Sequence, residues 1–103
     1  MIFDVDYFIA KFDAIPENLW TIKKYVDDKG CMCALGHCGA RVNESIQKVT
    51  EESLALNLLF TDVINVNVVS VNDRIINVFG GTPKKRILNA LVTIKALQEV
   101  GGL

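Results

Sequence analysis

The residues of this chain best equipped for chemistry crowd into one octapeptide, Cys31-Met32-Cys33-Ala34-Leu35-Gly36-His37-Cys38, which holds every cysteine and the single histidine of the sequence. Thiolates and imidazole bind zinc, so Cys31, Cys33, His37 and Cys38 form a candidate metal set for a zinc-stabilised structural module. The spacing departs from common zinc sites, whose paired cysteines are usually separated by about two to four residues. A second chemistry for the same stretch is nucleophilic. Cys33 at a helix N-terminus would have its thiolate favoured by the dipole, and His37 one turn later would pair with it, as in a small cysteine-dependent hydrolase. Asn72 or Asp73, folded nearby, would orient the histidine. Against this, Asp27 and Asp28 would oppose ionisation, and cysteine hydrolases usually bring their histidine from a distant part of the chain. The plainest role is packing, since buried cysteines behave as small apolar residues.

A further stretch with chemical potential is Gly80-Gly81-Thr82-Pro83-Lys84-Lys85-Arg86. Helix N-termini favour acids, and this one carries three consecutive cations in its first turn. A bound anion would offset that repulsion, with glycines letting a phosphate approach and free N–H groups pointing at it. The candidate ligand-binding residues are Gly81, Thr82, Lys84, Lys85 and Arg86, with Asn72 and Asp73 beside them. The pattern is not a Walker loop, which needs Gly-x-x-x-x-Gly-Lys. The bland counterpart is a capped helix whose lysines point into solvent or pair with Asp73 or Glu44.

The elements that must position these groups follow from local pattern. Asp4 and Asp6 precede a helix over about 5–14, with Val5, Phe8 and Phe12 on one face and Pro16 ending it. Residues 19–26 are rich in β-formers and run into the Asp27-Asp28-Lys29-Gly30 turn, which predicts a strand. Residues 31–42 are read as starting with the return strand of a hairpin and then becoming a short helix from about Cys33. Thr50, followed by Glu51 and Glu52, starts a helix whose apolar residues wrap most of the way round it, so it is expected to be buried in the core or in a subunit interface. Residues 63–71 alternate β-branched residues with asparagine, a strand with one wet face, ahead of an Asn72-Asp73 turn. Thr82 caps a last helix with Pro83 in its first position, carrying Ile87, Leu91 and Ile94 on one face and ending at Gly101-Gly102. The expectation is a helix-dominated α+β fold, about four helices packed with a small two- or three-stranded sheet.

Composition bounds the rest. The 103 residues make one domain, 1–103, with no internal repeat. Half the residues are apolar and mean hydropathy is positive, more than a small surface hides, which predicts a homo-oligomer. Eleven basic residues stand against 12 acidic ones. That balance excludes a general nucleic-acid binder, which would show a basic stripe. No apolar run is long enough to span a membrane. Three cysteines in eight residues make a poor disulfide framework and point to the cytoplasm. No cofactor motif is present.

The order Trp20, Gly30-x-x-Cys33-Ala34-Leu35-Gly36, Val71-Asn72-Asp73, Thr82-Pro83-Lys84-Lys85-Arg86-Ile87-Leu88 resembles a family of small uncharacterised proteins of bacteriophages and bacterial genomes, over nearly the whole chain. The family has no assigned activity. The resemblance implies an accessory protein of a phage or mobile element. Where that pattern carries glycine after Asn72-Asp73, this chain has Arg74, which speaks against a tight turn there. Together these readings predict a small non-catalytic binding protein, an inhibitor or ligand sponge. It would act through protein contacts or by holding a small phosphorylated ligand, such as a nucleotide, at the 80–86 helix start.

Overall fold

Asp4 starts the first helix by a local bond: its carboxylate accepts from the Tyr7 N–H at 2.9 Å, satisfying an amide that the first turn leaves without a carbonyl. Helix α1 spans Val5–Asp13 and buries Val5, Phe8 and Phe12. The computed structural model describes residues 2–43, 46–76 and 78–101. Glu44 and Gly102, named above, lie outside them.

The strand expected over 19–26 does not form. Glu17–Leu19 is a short 3₁₀ turn, and Trp20 and Val26 each make only an isolated bridge, both to Met32. The reason is Lys23, whose φ of 66° is left-handed. The segment doubles back there, so both of its ends meet one residue instead of laying down a ladder. Met32 thus supplies the fragment of return strand, and helix α2, Ala34–His37, follows with Cys33 at its cap. Gly36 is required by close approach, because a Cβ there would overlap the Tyr25 carbonyl.

Strands β1, Arg41–Asn43, and β2, Ile46–Lys48, pair antiparallel with Arg41 opposite Lys48. This two-stranded ribbon is the whole sheet among the described residues. Helix α3, Glu51–Ile64, opens with the Thr50 side chain accepting from the Ser53 N–H while the Ser53 hydroxyl oxygen accepts from the Thr50 N–H. Its buried face is Ser53, Leu56 and Phe60. Leu54 and Leu58, one turn apart, are 50% and 48% exposed, because neighbouring helices of the chain cover only one side of α3.

The strand expected over 63–71 is also absent. Helix α3 continues through Val63 and Ile64 and stops at Asn65 in the left-handed conformation, φ 55°. Asn67 then caps a new helix, α4 (Val68–Asn72), its side chain accepting from the Val69 N–H at 2.8 Å. The alternating asparagines mark one helix end and the next helix start, and tertiary burial of Val68 and Val71 overrides the β preference of branched side chains.

Helix α5, Pro83–Val100, begins as expected, with Thr82 accepting from the Lys85 N–H and Pro83 in the first turn. It packs against α1, α3 and α4 and fully buries Ile87, Ala90, Leu91 and Ile94. One core cluster joins these to Phe8, Phe12, Trp20, Leu56 and Phe60. The fold is therefore helix-dominated, with the four expected helices as α1, α2, α3 and α5. The predicted sheet shrinks to the β1–β2 ribbon, since both long stretches of β-formers fold otherwise. No helix of the described residues is long and apolar enough to cross a membrane.

Candidate functional site

The cysteine–histidine stretch does not assemble a site. Cys33 is 5% exposed, and burial pushes its thiol above the ordinary range, which opposes formation of the thiolate a nucleophile needs. His37 turns the other way. Its ring packs on Trp20 with centroids 4.7 Å apart, and its Nε2 is buried without a hydrogen-bond partner among the described residues. Burial also lowers the His37 pKa. Among the described residues the His37 N–H donates to the Cys33 carbonyl at 2.9 Å but no side-chain hydrogen bond joins the thiol to the imidazole, and Asn72 is occupied elsewhere. Cys31 Sγ donates to the Asn18 carbonyl at 3.2 Å, while Cys38 is buried and its thiol is pushed far up, first by burial and then by Glu52. No three metal-ligating side chains converge among the described residues, so the structure does not gather Cys31, Cys33, His37 and Cys38 into a set.

The cations of the 82–86 turn diverge as well. Arg86 is 5% exposed. Its guanidinium donates to the carbonyls of Val71 at 3.0 Å, Asn72 at 2.6 Å and Gly81 at 2.5 Å. Lys84 Nζ donates to the Asp13 carbonyl at 2.9 Å, and Lys85 is exposed. Arg86 closes the chain rather than facing a ligand. Asn72 is likewise internal, its Oδ1 accepting from the Ala34 N–H at 3.0 Å and its Nδ2 donating to the Thr21 carbonyl at 3.0 Å.

Of the predicted residues, Asp73 lines a sizeable cleft together with Cys33. The cleft, of about 460 Å³, is walled by Lys23, Lys24 and Arg41, by Val26, Val42 and Val69, and by Tyr25 and Cys33. A second, more open depression shares Lys23 and Asp73 and adds Arg74 and Arg86. Around one carboxylate, then, stand five cations contributed by four separate segments (Lys23 and Lys24, Arg41, Arg74, Arg86). In a chain of net charge −1 that is a local concentration of positive charge.

Each of these groups is positioned by backbone. Arg41 is pinned at the start of β1, its Nη1 donating to the carbonyls of Gly36 at 2.8 Å and Ala40 at 2.7 Å. Asp73 follows α4 and accepts from Asn72 Nδ2 at 2.9 Å. Arg74 adopts φ 63°, so the tight turn is made despite the missing glycine. Lys23 at 66° is the other cation held left-handed. Left-handed non-glycine residues are uncommon and cluster at functional positions. Both lie beside Asp73.

Sequence reasoning missed Lys23, Lys24 and Arg41. The one available signal was the Lys23-Lys24 pair interrupting a run of β-formers. No protein-family model, no curated protein and no solved structure matches this chain.

Proposed function

We propose that this chain is a non-catalytic binding protein that holds a small phosphorylated ligand in the cleft around Asp73, rather than at the 82–86 turn. The observation that carries this is the gathering of Lys23, Lys24 and Arg41 around one cleft. Cations brought together across a fold repel one another, and an anion between them offsets that cost. A buried thiol whose ionisation is opposed supports binding over catalysis. The resemblance to phage and bacterial proteins supports an accessory role in the host cytoplasm, as an inhibitor or ligand sponge.

The test is a set of melting curves with inorganic phosphate and a nucleotide panel, for wild type and for Lys23→Glu/Lys24→Glu. A ligand that binds the native state raises its melting temperature with concentration. The expected result is a rise in wild type that the double variant loses. A panel that shifts neither protein refutes the reading.

A second reading, contact with a second copy of the chain, draws on Leu54 and Leu58. Their exposure on one face of α3, with Val49 55% exposed just before it, supports a homo-oligomer.

A further inference from the structure

The cleft that carries the binding reading has a composition that a bare anion does not explain. Three valines, Val26, Val42 and Val69, together with Tyr25 form much of its wall. Apolar surface of that kind gains nothing from phosphate alone, whose hydration favours water. Asp73 stands in the same cleft as Lys23, Lys24 and Arg41, and a carboxylate beside a phosphate lowers the affinity for it. Both features become useful if the ligand extends beyond its phosphate. An apolar body covers the valines, and a hydroxyl or amino donor meets Asp73. The size fits as well: about 460 Å³ lies within the range of about 300–1,000 Å³ typical of small-ligand pockets.

We infer that the ligand is a phosphate monoester of a flat, largely apolar body that presents a hydrogen-bond donor, the chemistry of a nucleoside 5′-monophosphate. The inference rests on the binding reading above. Lys23, Lys24 and Arg41 hold the phosphate. Asp73 accepts from a sugar hydroxyl or an exocyclic amine. Its Oδ1 is oriented by Asn72 at 2.9 Å, so the acceptor is fixed before the ligand arrives, and preorganisation of this kind raises affinity. Asp73 therefore selects among anions, disfavouring bare phosphate and favouring esters that can donate to it.

The experiment is calorimetric titration of wild type, Asp73→Asn and Val42→Ser. The probes are inorganic phosphate, adenosine, and the 5′-monophosphates of adenosine, guanosine, cytidine and uridine. Val42 is 62% exposed, so its replacement spares the core. At least one monophosphate is expected to bind wild type about tenfold or more tighter than either phosphate or adenosine. Asp73→Asn should weaken that monophosphate about tenfold while tightening phosphate, because loss of the carboxylate removes an acceptor from one and a repulsion from the other. Val42→Ser should weaken the monophosphate and leave phosphate unchanged. Phosphate binding as tightly as every monophosphate, with Asp73→Asn tightening both, overturns the ligand class and leaves the anion cleft standing. Absence of binding by all probes overturns the cleft reading together with it.

Discussion

Arg86 and Asn72 hold the same turn from opposite sides. Arg86 Nη2 donates to the Asn72 carbonyl at 2.6 Å, while the Asn72 side chain reaches away from α5 to the Ala34 N–H and the Thr21 carbonyl, 3.0 Å each. Through these two residues the start of α5, the end of α4, the start of α2 and the loop carrying Lys23 become one hydrogen-bonded unit. Asp73, which accepts from Asn72 Nδ2 at 2.9 Å, joins this unit to the cleft it lines.

Replacing Arg86 with Met keeps the bulk and removes the donors. The carbonyls of Val71, Asn72 and Gly81 each lose a donor; that of Val71 keeps the Arg74 N–H at 3.3 Å, and each buried group left unpaired costs roughly 1–3 kcal/mol. The expected loss is about 2 kcal/mol or more in denaturant unfolding, a large share of the roughly 5–15 kcal/mol of a small domain. Arg86→Lys should recover little, since one ammonium cannot span three carbonyls as a guanidinium fork does. Unfolding midpoints within error of wild type would show that Arg86 is not structural.

Asn72 needs both halves of its amide. Asn72→Asp keeps the acceptor for Ala34 but sets a second carboxylate against Asp73 and the Thr21 carbonyl. Asn72→Ala loses both bonds without adding charge. Both variants should be destabilised by about 2 kcal/mol or more, with Asp the worse at pH 7. Acidification should narrow the gap between them as the new carboxyl protonates. A gap that stays constant down to about pH 4 would contradict the like-charge account.

His37 makes stability depend on pH. Burial, together with Lys11 and Arg41 nearby, holds its folded pKa below the unfolded value of 6.5. The contribution is fully present above the unfolded pKa and is lost as pH falls through 6.5 toward the lower folded pKa. The slope there is at most about 1.4 kcal/mol per pH unit for one proton. His37→Gln should flatten the wild-type decline between about pH 7 and 5. Parallel curves for the two proteins would exclude His37 as its source.

Lys23 should trade stability against binding. Its left-handed φ of 66° costs roughly 1–2 kcal/mol in a non-glycine residue, and glycine adds back roughly 0.5–1 kcal/mol of chain entropy. Lys23→Gly should therefore be more stable by about 0.5–1 kcal/mol yet hold the phosphorylated ligand more weakly. Lower stability with unchanged affinity would remove both the strain and the site from this position.

Self-association is tested on α3. With Leu54 and Leu58 exposed one turn apart, Leu54→Glu/Leu58→Lys should convert an oligomer to a monomer in light scattering at micromolar concentration, with little change in the monomer's fold. A wild-type monomer mass would end the proposal.

What the residues determined unaided is what depends on near neighbours. Asp4, Thr50 and Thr82 each cap a helix by accepting from an N–H three residues on, a bond the chain makes without help from elsewhere. The starts of α1, α3 and α5 were legible for that reason, as was the Val5, Phe8, Phe12 face, which follows from helical spacing alone. Tertiary structure decided the rest. Residues 19–26 and 63–71 carry β-branched side chains whose preference is about 1 kcal/mol or less per residue, too little to resist burial of Val68 and Val71 or the reversal at Lys23. It also decided the site. A sequence states that Lys84, Lys85 and Arg86 are cations but gives their charges no direction. Arg86 points inward because three carbonyls from residues 71, 72 and 81 converge on it. Lys23, Lys24, Arg41 and Asp73 meet because a doubled-back loop, a strand start and a helix end are packed together, and no local rule brings residues so far apart in the chain to one cleft.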